Sequence, residues 1–150
     1  MKPVPDKSTR EPIGRAMANI GRLFLSELHK NLDTLDIERS FYPLILIEEG
    51  KGMLTQQELA QKLACDKVQV VRIIDYLSSR GYVKRVKNSH DRRKYNLEIT
   101  DIARKSLPEI KKAIQKTTAQ ATKNIPDKKI DELFKTIQTI EQNLKNKDSE

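Results

Sequence analysis

The sequence predicts a mainly α-helical fold with a small β wing. Three observations lead to it. Two helix-start signals follow each other in mid-chain, Thr55-Gln56-Gln57-Glu58 and Asp66-Lys67-Val68-Gln69. Two short strand patterns come next, separated by a strongly cationic loop. Apolar residues at helical spacing flank this centre on both sides. Five glycines and no tryptophan in 150 residues speak against a loop-rich all-β chain.

Residues 1–10 are polar, carry Pro3 and Pro5, and read as a flexible arm. From Glu11 onward, Ile13, Met17, Ile20, Phe24, Leu28 and Leu32 recur at three and four, the stripe of an amphipathic helix. Gly14 and Gly21 each cost that helix about 1 kcal/mol against Ala. Asp36 is placed to cap a second helix through Leu44, Leu46 and Ile47 to Gly50, with Pro43 kinking it or delaying its start. Thr55 and Glu58 form a capping box, in which each side chain serves the other's backbone amide. The helix it opens stops near Ala64, turns through Cys65 and restarts at Asp66. Two short helices joined by a tight turn make a helix-turn-helix, here without the usual glycine in the turn.

The second helix of the pair runs from about Lys67 to Arg80, and Gly81 ends it as a C′ glycine. Val70, Ile73, Ile74 and Leu77 fall on its inner face; Val68, Gln69, Arg72, Asp75 and Tyr76 fall on the outer one. Tyr82–Val86 and Tyr95–Ile99 read as strands, the second alternating cleanly and the first poorly, since Val83 and Arg85 share a face. Thr100 or Asp101 caps a long helix to about Asn124, with a bend at Pro108. Pro126 and Asp127 open the last helix. There Ile130, Leu133, Ile137, Ile140 and Leu144 form a narrow seam suited to another helix.

Charge narrows the function. The chain holds 29 Lys and Arg against 21 Asp and Glu, a net +8. The excess is concentrated: residues 66–100 carry nine bases and four acids. Lys84, Arg85, Lys87, Arg92, Arg93 and Lys94 are diluted only by Asp91. Like charges packed into one loop repel, and a polyanion relieves the repulsion. Catalytic furniture is absent: His29 and His90 stand far apart, and no phosphate loop, metal-ligand spacing or nucleophile elbow occurs. The expectation is a non-enzyme without cofactor or metal. No apolar run of about 18 residues points to a membrane span, and the start has no apolar segment of a secretory signal. Cys65 has no partner for a disulfide, which fits a reducing cytoplasm.

The stretches Gln57-Glu58-Leu59-Ala60, Val70-Val71-Arg72-Ile73-Ile74-Asp75-Tyr76-Leu77, Arg80-Gly81-Tyr82-Val83-Lys84-Arg85, Asp91-Arg92-Arg93 and Leu97-Glu98-Ile99-Thr100 resemble the MarR family of bacterial winged-helix transcription regulators. The core resemblance spans about residues 36–105. It implies a winged helix-turn-helix DNA-binding domain over 36–100 and a helical dimerisation lobe from 11–35 and 101–147. It implies a homodimer on a pseudo-palindromic double-stranded operator, and a ligand- or stress-responsive repressor. Carried over, Lys67–Arg80 is the recognition helix and Tyr82–Ile99 the wing. Arg93 is the wing-tip arginine entering the minor groove, oriented by Asp91. Two positions depart from the family pattern: Val71 replaces a small hydroxyl residue, and Asp101-Ile102-Ala103 replaces Glu-x-Gly.

The expected DNA contacts are Gln56, Lys67, Val68, Gln69, Val71, Arg72, Lys87, Arg92, Arg93 and Lys94. The expected dimer contacts are Ile13, Met17, Ile20, Ile130, Leu133, Ile137, Ile140 and Leu144. Phe24, Phe41, Tyr42 and Tyr76 are candidates to line a small-molecule effector pocket, or plain core. Cys65 reads as a small buried hydrophobe or, with Lys67 near, as an oxidant sensor. The competing function is a winged helix that binds protein rather than DNA. The basic loop weighs against it, because protein interfaces favour aromatic and apolar contacts.

Overall fold

A computed structural model describes residues 10–32, 35, 37 and 40–145. It contains α1 (Ile13–Lys30), α2 (Phe41–Glu49), α3 (Gln56–Lys62), α4 (Lys67–Ser79), β1 (Val83–Lys87), β2 (Tyr95–Ile99), α5 (Asp101–Ala121) and α6 (Asp127–Lys145). The chain falls into two compact units, residues 1–117 and 118–150. The arm expected at residues 1–10, save Arg10, and the Asp36 cap lie outside the described residues.

Helix α1 enters the core only at its end. Leu28 and Leu32 are buried, whereas Ile13, Met17, Ile20 and Leu23 are exposed. Helix α2 starts at Phe41 after Ser40, later than a cap at Asp36 implies. Pro43 sets this start. As the third helical residue it lies in the first turn, where a missing N–H breaks no intrahelical bond.

The two capping boxes form as the sequence predicts. The Thr55 hydroxyl accepts from the Glu58 amide, and the Glu58 carboxylate accepts from the Thr55 amide at 2.8 Å and from its hydroxyl. These bonds, led by the one from the backbone, hold the Glu58 carboxyl below the usual carboxylate range; Lys94 and Lys62 add to the effect. The box is therefore intact at neutral pH and is lost as pH falls through that lowered value. Asp66 and Gln69 repeat the arrangement at the start of α4.

Between the boxes the chain turns without glycine. The Cys65 amide donates to the Ala60 carbonyl, and the Ala64 amide to that of Gln61. This is a Schellman closure, and it puts Ala64 at φ 49°. At the end of α4, Gly81 takes φ 77° as predicted.

Strands β1 and β2 pair antiparallel with Val83 opposite Ile99 and Lys87 opposite Tyr95. Strand β1 starts at Val83, one residue later than expected, because the Tyr82 amide closes the end of α4 by donating to the Leu77 carbonyl, and the Tyr82 side chain is buried. A third partner was invisible in the sequence: the Leu97 amide donates to the Leu54 carbonyl, and Thr55 bridges Asn96. The segment leading into α3 thus lies along the wing sheet. Thr100 closes the wing and opens α5 at once: its hydroxyl donates to the Gly81 carbonyl and accepts from the Ala103 amide. Helix α5 continues past Pro108 and ends at Ala121, slightly earlier than predicted.

The core of residues 1–117 gathers Phe41, Leu44 and Ile47 of α2, Leu59 of α3, Val70, Ile74 and Leu77 of α4, Leu97 of β2, and Leu107 and Ile110 of α5. The second unit is different. Helix α6 has no buried residue, and Leu133, Phe134 and Leu144 are each more than half exposed.

Ala64 carries a side chain where the backbone favours none. Ala64→Gly should raise stability by about 0.5–1 kcal/mol, the relief of left-handed strain exceeding the added chain entropy. Urea unfolding checks it; a lower midpoint would contradict the strain.

Candidate nucleic-acid interface

Helix α4 is held by one face and offers the other. Val70, Ile74 and Leu77 are buried, while Lys67, Val68, Gln69 and Arg72 are exposed. Val68 is 60% exposed, an apolar side chain facing water on the first turn. Val71 departs from expectation: it is half-buried on the flank of the helix and offers less surface than Val68. Tyr76 also departs, since it packs against the core, with the Arg80 guanidinium 5.2 Å from its ring centre.

Gln69 is already engaged. Its carbonyl oxygen accepts from the Asp66 amide at 3.2 Å as the far half of the capping box. A glutamine reading adenine uses its oxygen and nitrogen together. With the box closed, only the amide nitrogen is left for a base edge.

The wing loop is built rather than loose. The Asn88 side-chain oxygen accepts from the amides of His90 and Asp91, and its nitrogen donates to Asn96. The Asn88 amide donates to the Lys94 carbonyl, closing the loop. Asp91 accepts from the backbone of Arg93 at 3.0 Å and from its Nε at 3.3 Å. Arg93 is otherwise turned to solvent, its side chain 92% exposed. Lys87, Arg92 and Lys94 are exposed beside it. Asn88 was not singled out from the sequence, although an Asn at a strand end is a known turn former.

A cleft of about 580 Å³ lies between α3, the turn, the first turn of α4 and the wing. It brings together Gln56, Lys67, Arg93 and Lys94 of the predicted contacts, and adds Gln57, Gln61 and Tyr95. Cys65 lines it too, partly buried and packed against the core. None of the aromatic candidates for an effector pocket lines this cleft. Phe41 is fully buried core, its ring 6.4 Å from that of His29. Phe24 is half-buried. Tyr42 is partly exposed, and burial raises its phenol above the ordinary value, so it stays neutral.

The expected dimer residues lie on two open apolar faces. Ile13, Met17 and Ile20 are exposed on α1; Leu133 and Leu144 are exposed, and Ile130, Ile137 and Ile140 half-buried, on α6. Phe134, four residues after Ile130 and three before Ile137, belongs to the same α6 face and was missed.

Residues 40–94, from the start of α2 to the tip of the wing, match the model of the MarR family. Over these residues the chain is similar to that family. Its fold extends beyond that match. A MarR transcriptional regulator from Methanosarcina mazei Go1 is 25% identical, with a TM-score of 0.77 over 87% of this chain and 94% of that one. CouR from Rhodococcus jostii RHA1, solved with p-coumaroyl-CoA bound, is 25% identical, with a TM-score of 0.73 over 87% and 91%. A MarR-family regulator from Listeria monocytogenes, solved in complex with a 26mer DNA, shares the fold at 22% identity, with a TM-score of 0.82 over 90% of each chain.

Gln69 caps α4 and also stands on its outer face, so helix stability and duplex binding can be tested apart at this position. Gln69→Glu keeps an acceptor for the Asp66 amide and adds a charge favoured at a helix start. It should leave the melting temperature equal or higher, yet weaken binding to duplex DNA by about tenfold through like-charge repulsion. Thermal melts and fluorescence anisotropy read the two effects separately.

Proposed function

We propose that the protein is a cytoplasmic, dimeric, sequence-specific regulator of transcription that binds double-stranded DNA. The observation that carries this reading is the pairing of two exposed features across one cleft. The outer face of α4 offers Lys67, Val68, Gln69 and Arg72. The wing offers Arg93 on a loop tied down by Asn88 and Asp91. A helix of this shape fits the major groove, and its N-terminal residues meet base edges. A guanidinium at a loop tip suits an A·T-rich minor groove, where negative potential is concentrated. Lys87, Arg92 and Lys94 add phosphate contacts. The DNA bound by the Listeria relative supports the same partner here. Among the described residues, no helix is long and apolar enough to cross a membrane.

Dimerisation is the second part of the proposal. The open apolar faces of α1 and α6 are each too long to leave in water. Each such side chain gains about 1.5–3 kcal/mol on burial. A second copy of the chain supplies equivalent helices, and the contact closes with two-fold symmetry. Two recognition helices so related read half-sites about 10 base pairs apart, hence a pseudo-palindromic operator. Regulation by a small molecule, as a repressor released by its ligand, is the third part, supported by the bound acyl-CoA of CouR.

DNA binding is tested by salt. With roughly six to ten phosphates neutralised per dimer, affinity should fall about 10³–10⁵-fold between 50 and 200 mM salt. Arg72→Ala should cost about 1–3 kcal/mol and relax preference at particular bases, whereas Arg93→Ala should hurt most on sites with A·T-rich flanks. A flat salt response would overturn the reading.

The dimer is tested by sedimentation. The full chain should run as a dimer at micromolar concentration. Removal of residues 127–150 should give a monomer with far weaker DNA binding than the lost lysines explain.

A further inference from the structure

Arg85 was noted in the sequence only as part of a basic run and as a residue that spoils the alternation of β1. It shares the inner face of that strand with buried Val83. Its side chain is only 27% exposed and bonds to two other elements. From β1, its Nη2 donates to Asp75 Oδ1 on α4 at 2.6 Å. Its Nε donates to Gln56 Oε1, on the first residue of α3, at 3.3 Å. Wing strand, recognition helix and the preceding helix therefore meet on one guanidinium.

Two features of this arrangement call for an explanation. Asp75 is an exposed acid on the outer face of α4. On a surface that meets phosphates, an acid works against binding. Asp75 is the exposed partner, 59% open to solvent, so water screens its pairing with the part-buried Arg85. Affinity through charge does not account for it. Gln56 is the second feature. A guanidinium has donors only, so the oxygen of Gln56 must face Arg85 and the amide nitrogen must face away. That turns the amide N–H groups of Gln56 away from Arg85, placed to donate to a phosphate oxygen.

We infer that Arg85 is the positioning residue of the DNA interface. Through Asp75 it fixes the wing relative to the recognition helix, so that Arg93 and the α4 readers reach adjacent grooves together. Through Gln56 it aims an amide donor at the backbone. Arg85 itself is turned inward and makes no base contact. This inference rests on the DNA-binding reading above and adds to it the device that couples the two groove contacts.

The test is a reversal of sign. Anisotropy titrations of the full-length chain on a duplex that it binds compare wild type, Asp75→Asn and Glu98→Gln. Glu98 pairs with Lys84 across the same sheet at 3.3 Å and does not touch Arg85. Removing an acid from a basic face should tighten DNA binding or leave it unchanged, and Glu98→Gln should do so. Asp75→Asn should instead weaken binding about tenfold, the size of a typical coupling between contacting residues. Arg93→Ala should then cost much less in the Asp75→Asn background than in wild type, because the wing tip is already misplaced.

Tighter or unchanged binding by Asp75→Asn overturns the inference. So does full additivity with Arg93→Ala, or an equal loss in Glu98→Gln. A wild-type chain that binds no duplex at all would sink the proposed function itself, which separates that failure from this one.

Discussion

A helix that offers one face to solvent has to be held entirely by the other. Helix α4 satisfies this with Val70, Ile74 and Leu77, all essentially buried, set into a core from α2, α3, β2 and α5. The rest of the domain depends on that phase. A rotation by one residue would bury Arg72 or expose Ile74, each at a cost of a few kcal/mol. The axial position is set as firmly. The Asp66–Gln69 box fixes where α4 begins, and Gly81 fixes where it ends. The first exposed turn, with Lys67 and Val68, is thereby held at the mouth of the cleft.

The wing solves a different problem, that of concentrating positive charge in few residues. Repulsion among Lys84, Lys87, Arg92, Arg93 and Lys94 favours an open loop. Backbone hydrogen bonds to Asn88 and Asp91 oppose it. These are local bonds between near neighbours, so they form with little loss of chain entropy. Asp91 also partly neutralises the cluster that it organises. The result is an arginine with a fixed stem and a solvated head.

Several polar residues here serve two ends. Gln69 caps a helix and stands on its outer face. Gln56 accepts from Arg85 and lines the cleft. Asp75 balances Arg85 on a surface that is otherwise basic. Polar groups at an interface cost least when the protein already satisfies part of their hydrogen bonding, because less freedom is lost on binding. The apolar faces of α1 and α6 follow the opposite rule. Their side chains have no such partner and gain only by removing area from water.

The sequence by itself determined what is local. Both capping boxes, the C′ glycine, β2 and the seams of α1 and α6 were legible because each depends on residues within a few positions, whose chemistry is the same in any context. The basic loop was legible for the same reason, whereas the Asp91–Arg93 pair came from the resemblance to the MarR family. Only tertiary structure decided the rest. It drew Tyr82 into the core, laid Leu54 beside Leu97, half-buried Val71, and took Phe41 from the candidate pocket into the core. Above all it joined Arg85 to Asp75 and Gln56, ten and twenty-nine positions away. No periodicity announces such a contact, since it arises where three separately encoded elements pack together, and a basic residue in a basic run gives no sign that its charge points inward.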